Sequence, residues 1–181
     1  VQPQEFASRL NREVISLDLK TSDLNHFGRG PAITIGFARE IAIYLGVSKE
    51  NIEDRLKSLR LSPLRMETRQ KGDWTVLLDC YNASPESTKM FLESIQMPAE
   101  SIVVLADMLE LGEQSASQHE SLLRFALNKK FNRLYLLGPM YASVWRLLSK
   151  QFSNSHCECF DQKHDLISKL QDFYCSRDLD H

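Results

Sequence analysis

Four short apolar runs punctuate the chain from residue 74 onward: Trp74 to Leu78, Ser101 to Leu105, Leu134 to Leu137 and Cys157 to Phe160. Each has the length of a strand and is followed by a segment whose apolar residues recur at helical spacing. Strands that alternate with helices pair in parallel through crossover helices, so the pattern predicts an α/β fold: a Rossmann-like, open, mostly parallel sheet with helices on both faces. Helix starts are marked locally. Ser84 suits an N-cap with Pro85 at the first helical position, and Ser117 with Glu120 has the spacing of a capping box ahead of Leu122 and Ala126. Asp161 is placed to cap a last helix on which Leu166, Leu170 and Phe173 share a face.

The first 62 residues follow a different rhythm. From Glu13 to Leu19 the side chains alternate, Val14, Ser16 and Asp18 against Ile15, Leu17 and Leu19, as in a half-buried strand. Gly28 to Pro31 breaks the pattern. Ile33 to Leu45 is apolar on much of its circumference and predicts a buried helix that Gly46 stops. Ser48 then caps a second helix, with Ile52, Leu56 and Leu59 on one side, and Pro63 marks a boundary. The expected organisation is therefore 1–62, the end of one domain, and 63–181, most of a second.

Composition narrows the class of partner. A formal net charge of -2 with scattered Lys and Arg offers no basic stripe, so neither nucleic acid nor an anionic membrane surface is indicated. No apolar run has the length of a membrane span, and Val1 opens no basic-then-apolar leader, so a cytoplasmic setting is expected. Cys80, Cys157, Cys159 and Cys175 do not form the dense framework of a small secreted domain, and reduced thiols are expected. His156-Cys157-Glu158-Cys159, with His164 nearby, contains metal-ligand types but no paired C-x-x-C. On a strand, Cys157 and Cys159 point to one face as small hydrophobes, and no metal site is assigned.

Chemistry concentrates at two strand-to-helix junctions, D-C-Y-N-A-S-P-E-S from Asp79 and L-A-D-M-L-E-L-G-E from Leu105. At the end of a strand, Asp79 faces a helix N-terminus that favours anionic ligands, where a carboxylate can accept from ribose hydroxyls or orient a cation. Asn82 adds a donor and an acceptor. The alternative is that Asp79 and Ser84 only shape the turn and cap the helix. Asp107 repeats the arrangement. Met108, Leu109 and Leu111 make its loop apolar, as a substrate- or domain-contacting loop would be, or else they tuck back onto the sheet. His119 reads as a helix-surface histidine without a catalytic role.

Together the two junctions resemble signatures of the Mur ligase family, whose patterns D-D-S-Y-N-A-N-P-D-S and L-G-D-M-L-E-L-G-E are matched at Asp79, Tyr81, Asn82, Ala83, Pro85 and Ser87, and at Asp107 through Glu113. P-L-R-M-E around Arg65 is similar to the family's G-R-M-E, with Leu64 in place of glycine. The resemblance, strongest to the members that add D-alanyl-D-alanine, implies an ATP-dependent amide ligase. In that chemistry ATP activates a carboxylate as an acyl phosphate, and an amine displaces the phosphate. It implies ATP and Mg2+ as cofactors, UDP-N-acetylmuramoyl-tripeptide and D-Ala-D-Ala as substrates, and N-terminal and central domains as partners. By the same resemblance Arg65, Asp79 and Asn82 serve the nucleotide, Asn82, Ser84, Asp107 and Leu109 serve the incoming dipeptide, and no catalytic residue is assigned.

Several departures qualify the match. No G-K-T or G-K-S occurs, so the phosphate-cradling loop and the Mg2+ ligands are expected on another part of the polypeptide, and this chain alone is expected to be inactive. The family's K-G-S-R-like strand is absent, which suggests a truncated C-terminal domain. Gly30, Pro31 and Thr34 stand where the family's G-R-H-N-V-x-N carries a histidine and two asparagines near adenine. A degenerate relative that binds without catalysis, or an unrelated flavodoxin-like binding domain, remains the alternative.

Overall fold

The computed structural model describes residues 29–152 and 156–177. The chain divides into two compact units, with the change from Tyr81 to Asn82. The strand expected at Glu13 to Leu19 lies outside the described residues.

In the first unit, α1 (Arg29–Tyr44) and α2 (Lys49–Lys57) pack through Ala32, Ile35 and Ile52, with the buried Arg39 reaching Glu53 at 3.6 Å. Gly46 ends the α1 segment at φ +83°, a left-handed conformation that suits glycine after a helix. Ser48 caps α2 by accepting the Asn51 N–H at 3.3 Å. The buried helix expected at Ile33 to Leu45 differs on one side: Phe37, Ile41, Tyr44 and Leu45 are all more than half exposed. Phe37, Ile41 and Tyr44, at i, i+4 and i+7, form an exposed apolar stripe along α1.

β1 (Glu67–Lys71) and β2 (Trp74–Leu78) form an antiparallel hairpin across Gly72 and Asp73, with Lys71 opposite Trp74. Two expectations change here. Trp74 to Leu78 pairs antiparallel with its own neighbour rather than joining the parallel series, and β1 has no counterpart in the predicted elements. E-T-R-Q-K carries no apolar residue, so no period-two signal announces it; the turn supplies the pairing.

The second unit carries the parallel sheet in the order β3 (Ile102–Ala106), β4 (Arg133–Leu137), β5 (Cys157–Phe160). Alternate residues divide its faces. On one face Val103, Leu105, Leu134 and Leu136 meet Leu92 of α3 (Pro85–Ser94), Leu122, Leu123 and Ala126 of α4 (Ser115–Leu127), and Val144 and Leu148 of α5 (Pro139–Leu148). Cys157 and Cys159 pack against the same core, as the strand reading expected. The opposite face holds Tyr135 edge-on to Phe160 and Arg133 over the ring of Phe173 from α6 (Lys163–Arg177). Helices therefore lie on both faces of an open parallel sheet.

The caps divide sharply. Ser84 caps α3 in a reciprocal capping box with Ser87, behind Pro85. Ser117 does not cap α4. A 3-10 turn at Gly112–Gln114 starts the helix two residues earlier, at Ser115, and the Ser117 hydroxyl instead donates to the Gln114 carbonyl at 2.9 Å. Glu120 pairs with Arg124 at 2.8 Å rather than reaching back.

Candidate functional site

The first junction is built on a braced tripeptide. Leu64 and Met66 both adopt left-handed backbone, φ +63° and +49°, which costs side-chain-bearing residues of order 1 to 2 kcal/mol each. Four hydrogen bonds hold Leu64 and Met66, and the Arg65 N–H donates to the Ser62 carbonyl at 3.2 Å. The Leu64 carbonyl accepts from the N–H groups of Cys80 and Tyr81 at 2.9 and 3.1 Å. The Leu64 N–H donates to Glu67 Oε2 at 2.9 Å, and the Met66 N–H donates to Asp79 Oδ1 at 3.2 Å. The Arg69 guanidinium and the Leu64 N–H hold the Glu67 carboxyl below the usual carboxylate range.

Between the two left-handed residues, Arg65 projects over the Tyr81 ring with its guanidinium carbon 4.5 Å from the ring centre. Arg65 and Asp79, two of the residues expected at the nucleotide, thus share one neighbourhood. Asp79 does shape the turn, as one of the sequence readings held, but with a single oxygen; Oδ2 takes no hydrogen bond from the described residues. A ribose hydroxyl fits that free acceptor, and phosphate oxygens fit the exposed guanidinium.

The second junction is organised around Asp107. α5 has Gly138 at its N-cap and hence no side chain to satisfy its first N–H groups. Asp107 does so from the end of β3: Oδ2 accepts from Met140 N at 2.8 Å and Oδ1 from Tyr141 N at 2.9 Å. Both carboxylate oxygens are engaged with backbone, an assignment that sequence reasoning missed because the partners lie more than thirty residues away.

His119 is fully buried rather than on the helix surface. Its Nε2 accepts the Met108 N–H at 2.9 Å, so Nδ1 carries the proton and donates to the Ser115 carbonyl at 2.7 Å. Tyr141 closes over the imidazole edge-on at 4.8 Å, and burial pushes its phenol up from the ordinary tyrosine value. The loop residues split. Met108 is buried and Leu111 packs on the core, whereas Leu109 is 81% exposed. Asn82 is exposed, and Ser84 is committed to the α3 cap. Among the described residues no group of three or more His, Cys, Asp or Glu is arranged to hold a metal ion.

Residues 64–179, a span that includes both junctions, match the family model of the Mur ligase glutamate ligase domain. The chain belongs to the Mur ligase family. Among curated Mur ligases it is 26% identical over 140 residues to the UDP-N-acetylmuramoyl-tripeptide--D-alanyl-D-alanine ligase of Bacillus subtilis, covering 75% of this chain and 31% of that protein. It is 34% identical over 101 residues to the ligase of that name from Rickettsia prowazekii, covering 55% of this chain and 22% of the relative. Its fold is similar to MurF from Acinetobacter baumannii, with a TM-score of 0.70 at 21% identity over 81% of this chain and 31% of that one. MurF ligase from Thermotoga maritima, solved in complex with ADP, gives a TM-score of 0.60 at 26% identity over 77% of this chain and 31% of that one. The chain spans about a third of the length of the Bacillus relative and of both solved structures.

Proposed function

We propose that this chain is the C-terminal part of an ATP-dependent amide ligase that adds D-Ala-D-Ala to UDP-N-acetylmuramoyl-tripeptide in peptidoglycan precursor synthesis, in the cytoplasm. The observation that carries the reading is the family match over residues 64–179, which spans both junctions. In this reading residues 63–181 are the C-terminal domain, and residues 1–62 end the central ATP-binding domain. The fold likeness covers 81% of the chain, more than residues 64–181 alone hold, which supports a match that begins before residue 64. The open stripe of Phe37, Ile41 and Tyr44 on α1 suits a helix packed against more of a central domain.

Arg65 and Asp79 then meet the nucleotide, Arg65 through the phosphates and Asp79 Oδ2 through the ribose, with Asn82 beside them in sequence. Asn82, Ser84 and Leu109 serve the dipeptide, Leu109 as an exposed apolar contact. Asp107 contributes by holding the loop that presents Leu109. Bound ATP would supply the phosphoryl group that activates the carboxylate, and Mg2+, held by ligands carried elsewhere on the polypeptide, would screen its phosphates. What this chain's residues do is bind, orient and exclude water from a hydrolysable intermediate. Gly30, Pro31 and Thr34, which lack the family's adenine-side groups, favour a second reading, a degenerate relative that binds nucleotide or a partner without catalysis.

The test is ADP formation by the intact polypeptide, dependent on both the tripeptide nucleotide and D-Ala-D-Ala, with the 181-residue chain measured beside it. Activity is expected in the intact protein and none in the chain alone. ADP binding without substrate-dependent turnover would favour the second reading, and turnover by the chain alone would refute the assignment of the phosphate site to another domain.

A further inference from the structure

The Arg65 guanidinium carbon lies 4.5 Å from the centre of the Tyr81 ring, within cation–π range. No carboxylate pairs with Arg65 among the described residues, although Arg69 and Lys57 on the same unit are both paired with acids. The backbone that carries it is left-handed on either side, at Leu64 and Met66, and is held there by hydrogen bonds from Cys80 and Tyr81 and to Glu67 and Asp79. Backbone strain of this kind persists only where surrounding bonds over-determine it, and it clusters at ligand sites. Tyr81 contributes twice, through its N–H to Leu64 and through its ring to Arg65. The ring itself is 64% exposed, so packing alone does not explain an aromatic residue there.

We propose that Tyr81 is a positioning residue: its ring holds Arg65 so that the guanidinium donors meet a phosphoryl oxyanion already aimed, without the ordering cost of a free arginine side chain. This rests on the reading that Arg65 serves the nucleotide phosphates, and it adds that the affinity Arg65 provides depends on the ring of Tyr81. Aromaticity is the requirement, not the phenol hydroxyl.

The experiment is a double-mutant cycle in the intact polypeptide, with the dissociation constant for ADP in the presence of Mg2+ as the readout and thermal melting as the control for folding. Arg65→Ala is expected to weaken ADP about tenfold or more. Tyr81→Leu and Tyr81→Gln are expected to weaken it about three- to tenfold at unchanged melting temperature, while Tyr81→Phe binds like the parent. The decisive term is coupling: Tyr81→Leu added to Arg65→Ala should cost nothing further, since the ring acts only through the guanidinium. If Arg65→Ala binds ADP normally, the underlying reading and the inference both fall. If Arg65→Ala is impaired but Tyr81→Leu and Tyr81→Gln bind like the parent, or the two effects multiply, the inference falls and the reading stands.

Discussion

A Cβ added at Gly138 would lie 2.4 Å from the carboxyl carbon of Asp107, closer than side chains approach one another. The glycine, at φ +115°, leaves the space through which Asp107 reaches the N-terminus of α5. Gly138→Ala should therefore lose stability on two counts, the disfavoured backbone and the displaced cap, together on the order of 3 kcal/mol in urea unfolding. Gly46→Ala is the control: it also has positive φ, +83°, but nothing lies within 4 Å of the added carbon, so only the backbone cost of about 1 kcal/mol is expected. Equal losses in the two variants would show that the carboxylate moves aside freely.

The link from His119 to Met108 ties α4 to the loop that displays Leu109. His119→Ala removes a fully buried side chain and leaves the Met108 N–H unsatisfied, which should cost about 2 to 4 kcal/mol. Amide exchange at Met108 should accelerate with it. Exchange unchanged from the parent would mean that another group holds the loop.

On the proposed reading Asp79 has two roles on separate oxygens, the turn and the nucleotide, and substitution can part them. Asp79→Asn keeps a carbonyl oxygen for the Met66 N–H, so stability should stay within about 0.5 kcal/mol of the parent, whereas Asp79→Ala loses the brace and about 1 to 2 kcal/mol. ADP affinity of the intact polypeptide should fall in both. If Asp79→Asn binds ADP as the parent does, the carboxylate serves only the turn.

The thiols predict a pH dependence. Burial pushes Cys157 up to about 12 and Cys159 up to about 11, against an ordinary value of 9.0. Between pH 9 and those values the folded state retains protons that the unfolded state releases, so this contribution to stability is present below pH 9 and is lost progressively as pH rises toward 12. Urea midpoints should fall from pH 8 to pH 10.5, and less steeply in Cys157→Ala/Cys159→Ala. At pH 8 a thiol reagent should label the exposed Cys80 and Cys175 quickly, and Cys157 and Cys159 only on unfolding. Rapid labelling of all four would contradict the packing of β5 on the core.

Sequence alone determined the features whose causes lie within about four residues. Ser84 and Ser48 cap their helices and Gly46 ends one, because cap chemistry is settled between near neighbours. The three parallel strands declared themselves through apolar runs that only a covered sheet can bury. At Leu64 the sequence showed only a departure from the family's glycine; the left-handed backbone, φ +63°, came from the structure. The all-polar β1 gave no apolar alternation to announce the hairpin.

Tertiary structure decided the rest. Asp107 looked like a free carboxylate at a strand end, yet its partners, Met140 and Tyr141, lie 33 and 34 residues further on and meet it only because β3 and β4 lie side by side in parallel. His119, between Gln118 and Glu120, has the polar neighbours of a surface residue, and is buried because Tyr141 closes over it. The contact of Arg65 with Tyr81 likewise needs a hairpin to return the chain to its start. Local propensity reports what a residue prefers within one turn; which groups satisfy a buried charge or aim an exposed one depends on where distant segments of the backbone are brought together.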